Sequence, residues 1–164
     1  MPASEGQFGL TQISGAAGLF IRFGQWLIGD GFENYEHAAV AIDDPVDGSI
    51  HVMEAEPGGA RISTYGTNQF AWSDMSLTLE QKQAISAAAV KYKNVPYSFL
   101  DYFAIALHKW HVPVPGLRRY ISSTHHMICS QLVVQCYRDA GIELFPHEQW
   151  EGYYTPGDLA RLVT

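Results

Sequence analysis

The alternation of apolar and polar positions predicts a β-hairpin in the first third of the chain. Residues 37–42 and 49–55 are runs of small, branched and alternating side chains that are typical of strands. Residues 43–48 hold a proline and a glycine, which favour a turn. Residues 61–65 form a further short strand pattern. The hairpin would place His37 at the start of its first strand.

Helical patterns cover much of the remaining chain. Thr78 with Gln81 has the spacing of a capping box, and the Ala-, Gln- and Lys-rich segment after it predicts a helix to about Lys93. The other predicted helices cover residues 16–27, residues 98–110, and a segment from near Cys129 to Gly141. Strands and helices together, with no linker between them, predict one α+β domain over residues 1–164.

Composition and charge narrow the function classes. The chain is 47% apolar and 13% aromatic, as a globular domain should be. Its formal charge of −7 gives no broad positive surface, so we expect no nucleic-acid partner. The longest apolar stretch, residues 13–28, contains Arg22 and Gln25 and is shorter than the ~20 residues that span a bilayer. We therefore expect no integral membrane segment.

The first residues offer no basic stretch leading into an apolar one, so no secretory signal peptide is visible. The expected location is the cytoplasm, or a destination reached by a route that needs no signal peptide. The sequence leaves the oligomeric state open.

The two cysteines occupy different positions in one predicted helix. Cys129 and Cys136 are about 10 Å apart along the axis, too far for a disulfide, so both should be free thiols. The first turn of a helix favours a thiolate, which makes Cys129 the candidate nucleophile. Cys136 lies mid-helix among apolar residues and is expected to behave as a small core side chain.

A thiolate nucleophile needs a base, and histidine is the usual one. His37 is our candidate because a strand end would hold its ring rigidly. His125 and His126 remain a less favoured alternative, being close to Cys129 in sequence. Surface or structural positions are expected for the others, His108, His111 and His147.

A carboxylate is expected to complete the site. Antiparallel pairing of the hairpin would place His37 opposite residues 54–56, so Glu54 or Glu56 could reach the second ring nitrogen. If neighbouring residues alternate faces, at least one of the two should face solvent. Glu54 is our candidate for the third residue, with His51 and Glu56 as alternatives. No paired ligand motif for zinc is present, so neither a metal nor a cofactor is expected.

Several short segments occur in an order that resembles the circularly permuted branch of the NlpC/P60 superfamily of papain-like hydrolases. The resemblance extends from about Gly9 to Leu162. Its segments are His37-Ala-Ala-Val-Ala-Ile, Val52-Met-Glu-Ala, Pro96-Tyr97, and Cys129-Ser-Gln-Leu-Val followed by Tyr137-Arg-Asp-Ala-Gly.

The resemblance implies a small antiparallel sheet or barrel packed against helices, with the His strand before the Cys helix. It implies Cys129 as nucleophile, His37 as base and Glu54 as the third residue. Tyr97 and Ser130 would contact the substrate or the oxyanion.

Three functions follow from these expectations. The first is an amidase that cleaves a small peptide, such as one derived from the cell wall, through a thioester acyl-enzyme. The second is a lipid-directed acyltransferase or thioesterase on the same scaffold, and the third is a non-catalytic binding module. Aromatic residues that could line an acyl groove are Phe20, Phe23, Trp26, Phe99, Tyr102 and Phe103.

Overall fold

The structure, a computed structural model, describes residues 3–12, 35–97, 107, 111, 113–116, 127–145 and 154–163. The strands are β1 (Phe8–Thr11), β2 (His37–Ala41), β3 (Ser49–Glu56), β4 (Gly59–Gly66) and β5 (Ala71–Trp72), with a 3-10 turn at Thr67–Gln69. The helices with described bounds are α1 (Leu79–Lys91), α2 (Cys129–Asp139) and α3 (Pro156–Ala160). The predicted α+β class is therefore confirmed. The helices predicted at 16–27 and 98–110 lie outside the described residues.

The described strands form one antiparallel sheet in the order β4-β3-β2-β1-β5. The predicted hairpin is present as β2 and β3, with Ala39 paired to Glu54. The strand expected at residues 61–65 is the central part of β4, which pairs with β3 along its whole length. Within the described residues the sheet is open, so these strands do not form the closed barrel that the resemblance allowed.

The two faces of the sheet bury different groups of residues. One face packs against α2 and the other helices in a cluster that extends from Phe8 to Leu159. The opposite face carries a smaller cluster, made of Ala39, Ala41, Ile50, Val52, Phe70 and Trp72 with Ala3. Because side chains of a strand alternate between faces, His37 shares the face of Ala39 and Ala41.

Helix α2 is buried along almost its whole length. Its Tyr137 hydroxyl donates to the Gly6 carbonyl at 2.6 Å, and the Tyr137 ring meets Phe8 edge to face. The helix ends at the predicted place, because Gly141 follows it with φ of +77°, the left-handed conformation that favours glycine after a helix. These contacts fix α2 against the sheet, and its first residue lies beside the start of β2.

Strands β1 and β5 are short and were not predicted. Gly9 of β1 pairs with Trp72 of β5, and a Cβ atom on Gly9 would lie 2.9 Å from both Trp72 and Phe70. Glycine is therefore required for this close approach. None of the helices described here combines the length and the apolar character that crossing a membrane requires.

Candidate active site

Cys129 is the first residue of α2 and is almost completely buried. The residue before it, Ile128, is extended and offers no side-chain cap, but its backbone N–H donates to the Gln131 side chain at 2.9 Å. In its thiol form, Cys129 Sγ lies 3.9 Å from the Glu36 carbonyl oxygen. The thiol therefore sits between the start of a helix and the start of β2.

His37 begins β2 and connects the thiol to a carboxylate. Its Nε2 atom lies 2.7 Å from Glu54 Oε2, and it also shares a side-chain hydrogen bond with Cys129. Since Nε2 is used by Glu54, Nδ1 is the nitrogen that remains for the thiol. The structure thus brings together the three residues that the sequence singled out, although they come from α2, β2 and β3.

Glu54 is fully buried and accepts several hydrogen bonds. Besides His37, the Ser63 hydroxyl donates to Oε1 at 2.5 Å, and the Tyr65 hydroxyl lies 3.1 Å from both carboxylate oxygens. The Arg61 Nε atom is 3.6 Å from Oε1. A buried carboxylate is costly unless it is paired and hydrogen-bonded, and Glu54 meets both conditions.

The contacts among these groups shift their pKa values. Burial acts to lower the pKa of His37, but hydrogen bonds and charge interactions with Cys129 and Glu54 outweigh burial and raise it to about 10. Burial acts to raise the pKa of Glu54, but the bonds from His37 and Ser63 outweigh it, so that pKa is lowered. The site therefore favours an imidazolium held beside an ionised carboxylate at neutral pH.

The choice of Glu54 agrees with the geometry, but the reasoning about exposure was wrong. Glu54 and Glu56 are two positions apart on one strand, so they share a face rather than alternating. Continuing the β2–β3 register places Glu56 across from His37, with Glu56 Oε1 4.0 Å from Nε2. Glu56 is partly exposed and contacts the Arg61 guanidinium instead.

His51, the other alternative for the third residue, lies away from this site. It is on the opposite face of β3, is 53% exposed, and its Nδ1 atom is 2.5 Å from Asp43 Oδ2. His125 and His126, together with His108 and His147, lie outside the described residues. His111 is described and exposed. Among the described histidines, His37 is the one that contacts Cys129.

Three of these side chains form a set that could hold a metal ion. One potential ligand atom from each of His37, Glu54 and Glu56 lies within 4.8 Å of the others. Arg61 already provides positive charge to both carboxylates, and Ser63, Tyr65 and His37 occupy the oxygens of Glu54. A metal ion would have to displace these donors, so the set fits a hydrogen-bonded carboxylate better than a metal ligand.

The two residues predicted to contact substrate have different surroundings. Tyr97 is half-buried, and its backbone pairs with Met127, two positions before Cys129. The Ser130 side chain is fully buried, and its hydroxyl donates to the Tyr154 carbonyl at 2.7 Å. The Ser130 hydroxyl therefore fastens α2 to the segment before α3. The expected contact of Ser130 with the substrate or the oxyanion stays a prediction.

A cavity of about 220 Å³ adjoins His37 on the face of the sheet that carries the smaller cluster with Phe70. Phe70 and the Tyr65 ring meet edge to face with centroids 5.1 Å apart, and they form its apolar wall. Its lining residues are Thr11, Gln12, His37, Glu56, Tyr65, Gln69 and Phe70. The cavity could accept a group about as large as one amino-acid residue beside the base.

Sequence reasoning missed Arg61, Ser63 and Tyr65, the donors around Glu54. They occupy alternate positions of β4, so their side chains share one face. The available signal was a polar stripe on the strand that follows the Glu54 strand across a tight Pro57-Gly58 turn. A β3–β4 hairpin built on that turn would have paired Arg61 with Glu54, as it does here.

No protein-family model matches this chain, and no curated protein matches it. The resemblance to the NlpC/P60 superfamily therefore stays a prediction. What the chain does has to be inferred from the geometry of its own residues.

Proposed function

We propose that this chain is a cysteine hydrolase that cleaves an amide bond of a small peptide, on a papain-like scaffold of the circularly permuted NlpC/P60 type. One observation carries the proposal: a continuous, buried series of contacts runs from Cys129 through His37 to Glu54. A nucleophile, a base in contact with it and a group that orients the base are the parts that acyl transfer needs.

In the proposed reaction, Cys129 Sγ attacks the amide carbonyl carbon as a thiolate and forms a tetrahedral intermediate. Backbone N–H groups in the first turn of α2, including that of Cys129, stabilise the oxyanion. His37 gives its proton to the leaving amine as the C–N bond breaks, which leaves a thioester on Cys129. Water, deprotonated by His37, then attacks the thioester, releasing the carboxylic acid and restoring the thiol.

Glu54 supports both halves of this cycle. Its bond to Nε2 fixes the ring so that the other nitrogen faces Cys129, and its negative charge stabilises the imidazolium. The carboxylate stays ionised throughout, because its pKa is lowered by the surrounding donors. The ring is therefore both oriented and charged before substrate arrives.

The same contacts favour an enzyme over a binding module. A buried imidazolium and a buried carboxylate next to a buried thiol are expensive to maintain, and perturbed pKa values of this kind cluster at functional sites. The lipid-directed alternative depends on aromatic residues outside the described part of the chain. The cavity beside His37 is lined by polar and aromatic groups together, which suits a peptide fragment.

Thiol alkylation tests the catalytic assignment directly. Iodoacetamide labelling of the wild type and of His37→Ala is followed from pH 5 to 9, and the modified cysteine is located by peptide mass. We expect fast labelling of Cys129 below pH 7 that is lost in His37→Ala, with Cys136 as the internal control. If Cys129 reacts only near pH 8.5, as an ordinary thiol does, the proposal is wrong.

Substrate class is tested with the same protein. Short peptide amides and acyl thioesters in phospholipid vesicles are supplied separately, and product amine or thiol is measured against Cys129→Ala. The proposal expects turnover of soluble peptide amides that is independent of vesicles. Turnover seen only with vesicles would instead assign the lipid-directed alternative.

A further inference from the structure

Strand β4 directs three polar side chains at one carboxylate. Ser63 and Tyr65 donate to Glu54 at 2.5 Å and 3.1 Å, and Arg61 approaches the same carboxylate at 3.6 Å. Each carboxylate oxygen has its own principal partner, with His37 on Oε2 and Ser63 on Oε1, while Tyr65 lies equally far from both. The hydroxyls thus restrict how the Glu54 carboxylate can turn about its last torsion.

These donors also determine which protonation state of Glu54 is stable. Glu54 has no exposed surface, and burial alone favours a neutral carboxylic acid. A protonated Glu54 could not stabilise a charged imidazole. Its protonated oxygen would also be a donor, although the surrounding groups donate to it. Hydrogen bonds to the ionised form oppose this outcome.

We propose that Ser63 and Tyr65 are positioning residues of the active site, which hold Glu54 ionised and aligned on His37 so that the His37–Cys129 pair stays reactive in weak acid. This inference rests on the proposed function. Neither hydroxyl touches the reacting atoms in this role, because both act through Glu54 on the base. Tyr65 has a second contact, since its ring lines the cavity beside His37.

Arg61 is the weaker member of the set. Its side chain is 51% exposed and is shared with Glu56, so solvent screens its effect on Glu54. The charged and titratable groups that face Glu54 are therefore His37 from β2, Glu56 from its own strand, Arg61 and Tyr65 from β4, and Cys129 from α2 through His37. Among the described partners of Glu54, the β4 hydroxyls of Ser63 and Tyr65 can be removed without changing a charge at neutral pH.

The direction of the pH effect follows from the contacts. Without a donor, the ionised form of Glu54 loses stabilisation, so Glu54 takes up a proton at higher pH than in the wild type. As pH falls, the Glu54 carboxylate next to the His37–Cys129 pair is then protonated at a higher pH. The acid limb, which is the low-pH part of the profile where Cys129 reactivity is lost, therefore moves to higher pH. A hydrogen bond to a charged group corresponds to a shift of about one pH unit.

The test compares Ser63→Ala, Tyr65→Phe and the double variant with the wild type. Iodoacetamide labelling of Cys129 is measured from pH 4 to 9. The constants kcat and KM are measured with a peptide amide that the wild type hydrolyses. We expect the acid limb to rise by about one unit for each single variant and further for the double variant. The kcat of Tyr65→Phe should fall about tenfold with little change in KM, because the ring that lines the cavity is kept.

Two control variants separate positioning from packing. Ser63→Thr keeps the hydroxyl and should restore the wild-type acid limb. Thr64 is on the same strand, but its side chain lies on the opposite face and is exposed, so Thr64→Ala should leave the limb unchanged. If Ser63→Ala and Tyr65→Phe lower the melting temperature without moving the limb, the two hydroxyls are structural and the inference is overturned.

A wild-type measurement makes the outcome independent of how the variants fold. Carboxyl ¹³C NMR of glutamate-labelled protein, with the Glu54 signal assigned by Glu54→Gln, should show Glu54 ionised well below pH 4.5. An ordinary titration of Glu54 overturns the inference. The two proposals can also fail separately. If the wild type reacts at low pH, His37→Ala does not, and Tyr65→Phe has an unmoved acid limb, the proposed function stands. The positioning role of the two hydroxyls is then refuted.

Discussion

Helix α2 carries two thiols with the same burial and opposite surroundings, one at its first residue and one in its second half. Cys129 and Cys136 are both 1% exposed or less. Cys129 meets the imidazole of His37, whereas burial and the nearby charge of Asp139 raise the pKa of Cys136. Burial by itself therefore does not decide whether a cysteine is reactive. The neighbouring charge does, and it is positive at one end of the helix and negative toward the other.

The helix itself contributes to this difference. Cys129 lies in the first turn, where unpaired N–H groups favour an anion, and Cys136 lies in the second half, where the dipole has the opposite sign. The prediction that Cys136 behaves as a small core side chain is confirmed by its complete burial in the cluster between sheet and helices. One helix thus holds a candidate nucleophile and a packing residue two turns apart.

The largest expected effect separates the two thiols. Cys129→Ala should abolish amide hydrolysis, a loss of ~10⁴-fold or more in kcat, because no other group forms the thioester. Cys136→Ala should retain kcat within a few-fold and lower the free energy of unfolding by about 1 kcal/mol, because it leaves a small cavity. Steady-state kinetics and urea unfolding measure both. Equal losses of activity in the two variants would remove the distinction between the thiols.

A smaller effect is expected from Glu54, the carboxylate that acts through His37 on Cys129 and not on Cys136. Glu54→Gln keeps the shape of the side chain but removes its charge, and kcat should fall by ~10²- to 10⁴-fold. Glu56→Gln is the matched control on the same face of β3 and should cost less than about tenfold. Alkylation of Cys136 under mild denaturation should be the same in both variants. A Glu54→Gln enzyme with wild-type kcat would contradict the role given to Glu54.

The pH dependence of stability should reflect the charged pair of His37 and Glu54. The pKa of His37 is raised from 6.5 to about 10, so its stabilising contribution is complete below pH 6.5 and is lost as pH rises through 10. The pKa of Glu54 is lowered from 4.5, so its contribution is present above pH 4.5 and is lost as pH falls further. The melting temperature of the wild type should therefore decline between pH 7 and 10 more steeply than that of Glu54→Gln. Parallel curves for the two proteins would argue against the charged pair.

The smallest effect is expected far from both thiols. Helix α1 begins with the predicted capping box, in which Thr78 Oγ1 accepts from the Gln81 N–H at 3.2 Å, whereas α2 begins without a side-chain cap. Thr78→Ala should cost about 1 kcal/mol in the free energy of unfolding. The pH profile of Cys129 alkylation should not change. A changed profile would mean that thiol reactivity follows global stability rather than local charge.

The sequence was informative where a pattern is local. The β2–β3 hairpin, β4, the capping box of α1 and the end of α2 at Gly141 were predicted because alternation, capping residues and glycine act within a few positions. The candidate nucleophile, base and carboxylate were also identified, since each depends on the type of element that carries it. The structure brings these three side chains into contact.

Features that depend on distant pairing were missed. Strands β1 and β5 have four and two residues, too few for a periodic signal. They form because β1 pairs with β2 on one side and with β5 on the other. Helix α3 was not predicted either, although Thr155 and Asp158 form a capping box around Pro156 at its start. The donors Ser63 and Tyr65 could be seen as polar, but their target depends on which face of β4 lies over Glu54.

The distance along the chain between the parts of this site has a consequence for folding. Cys129 meets the Glu36 carbonyl across 93 positions of sequence, and such long-range contacts form late because closing a long loop is entropically costly. A thiol activated by His37 can exist only after β2, β3 and α2 have docked. In a refolding experiment, pulse labelling of Cys129 at pH 6 should therefore report the time at which β2, β3 and α2 dock.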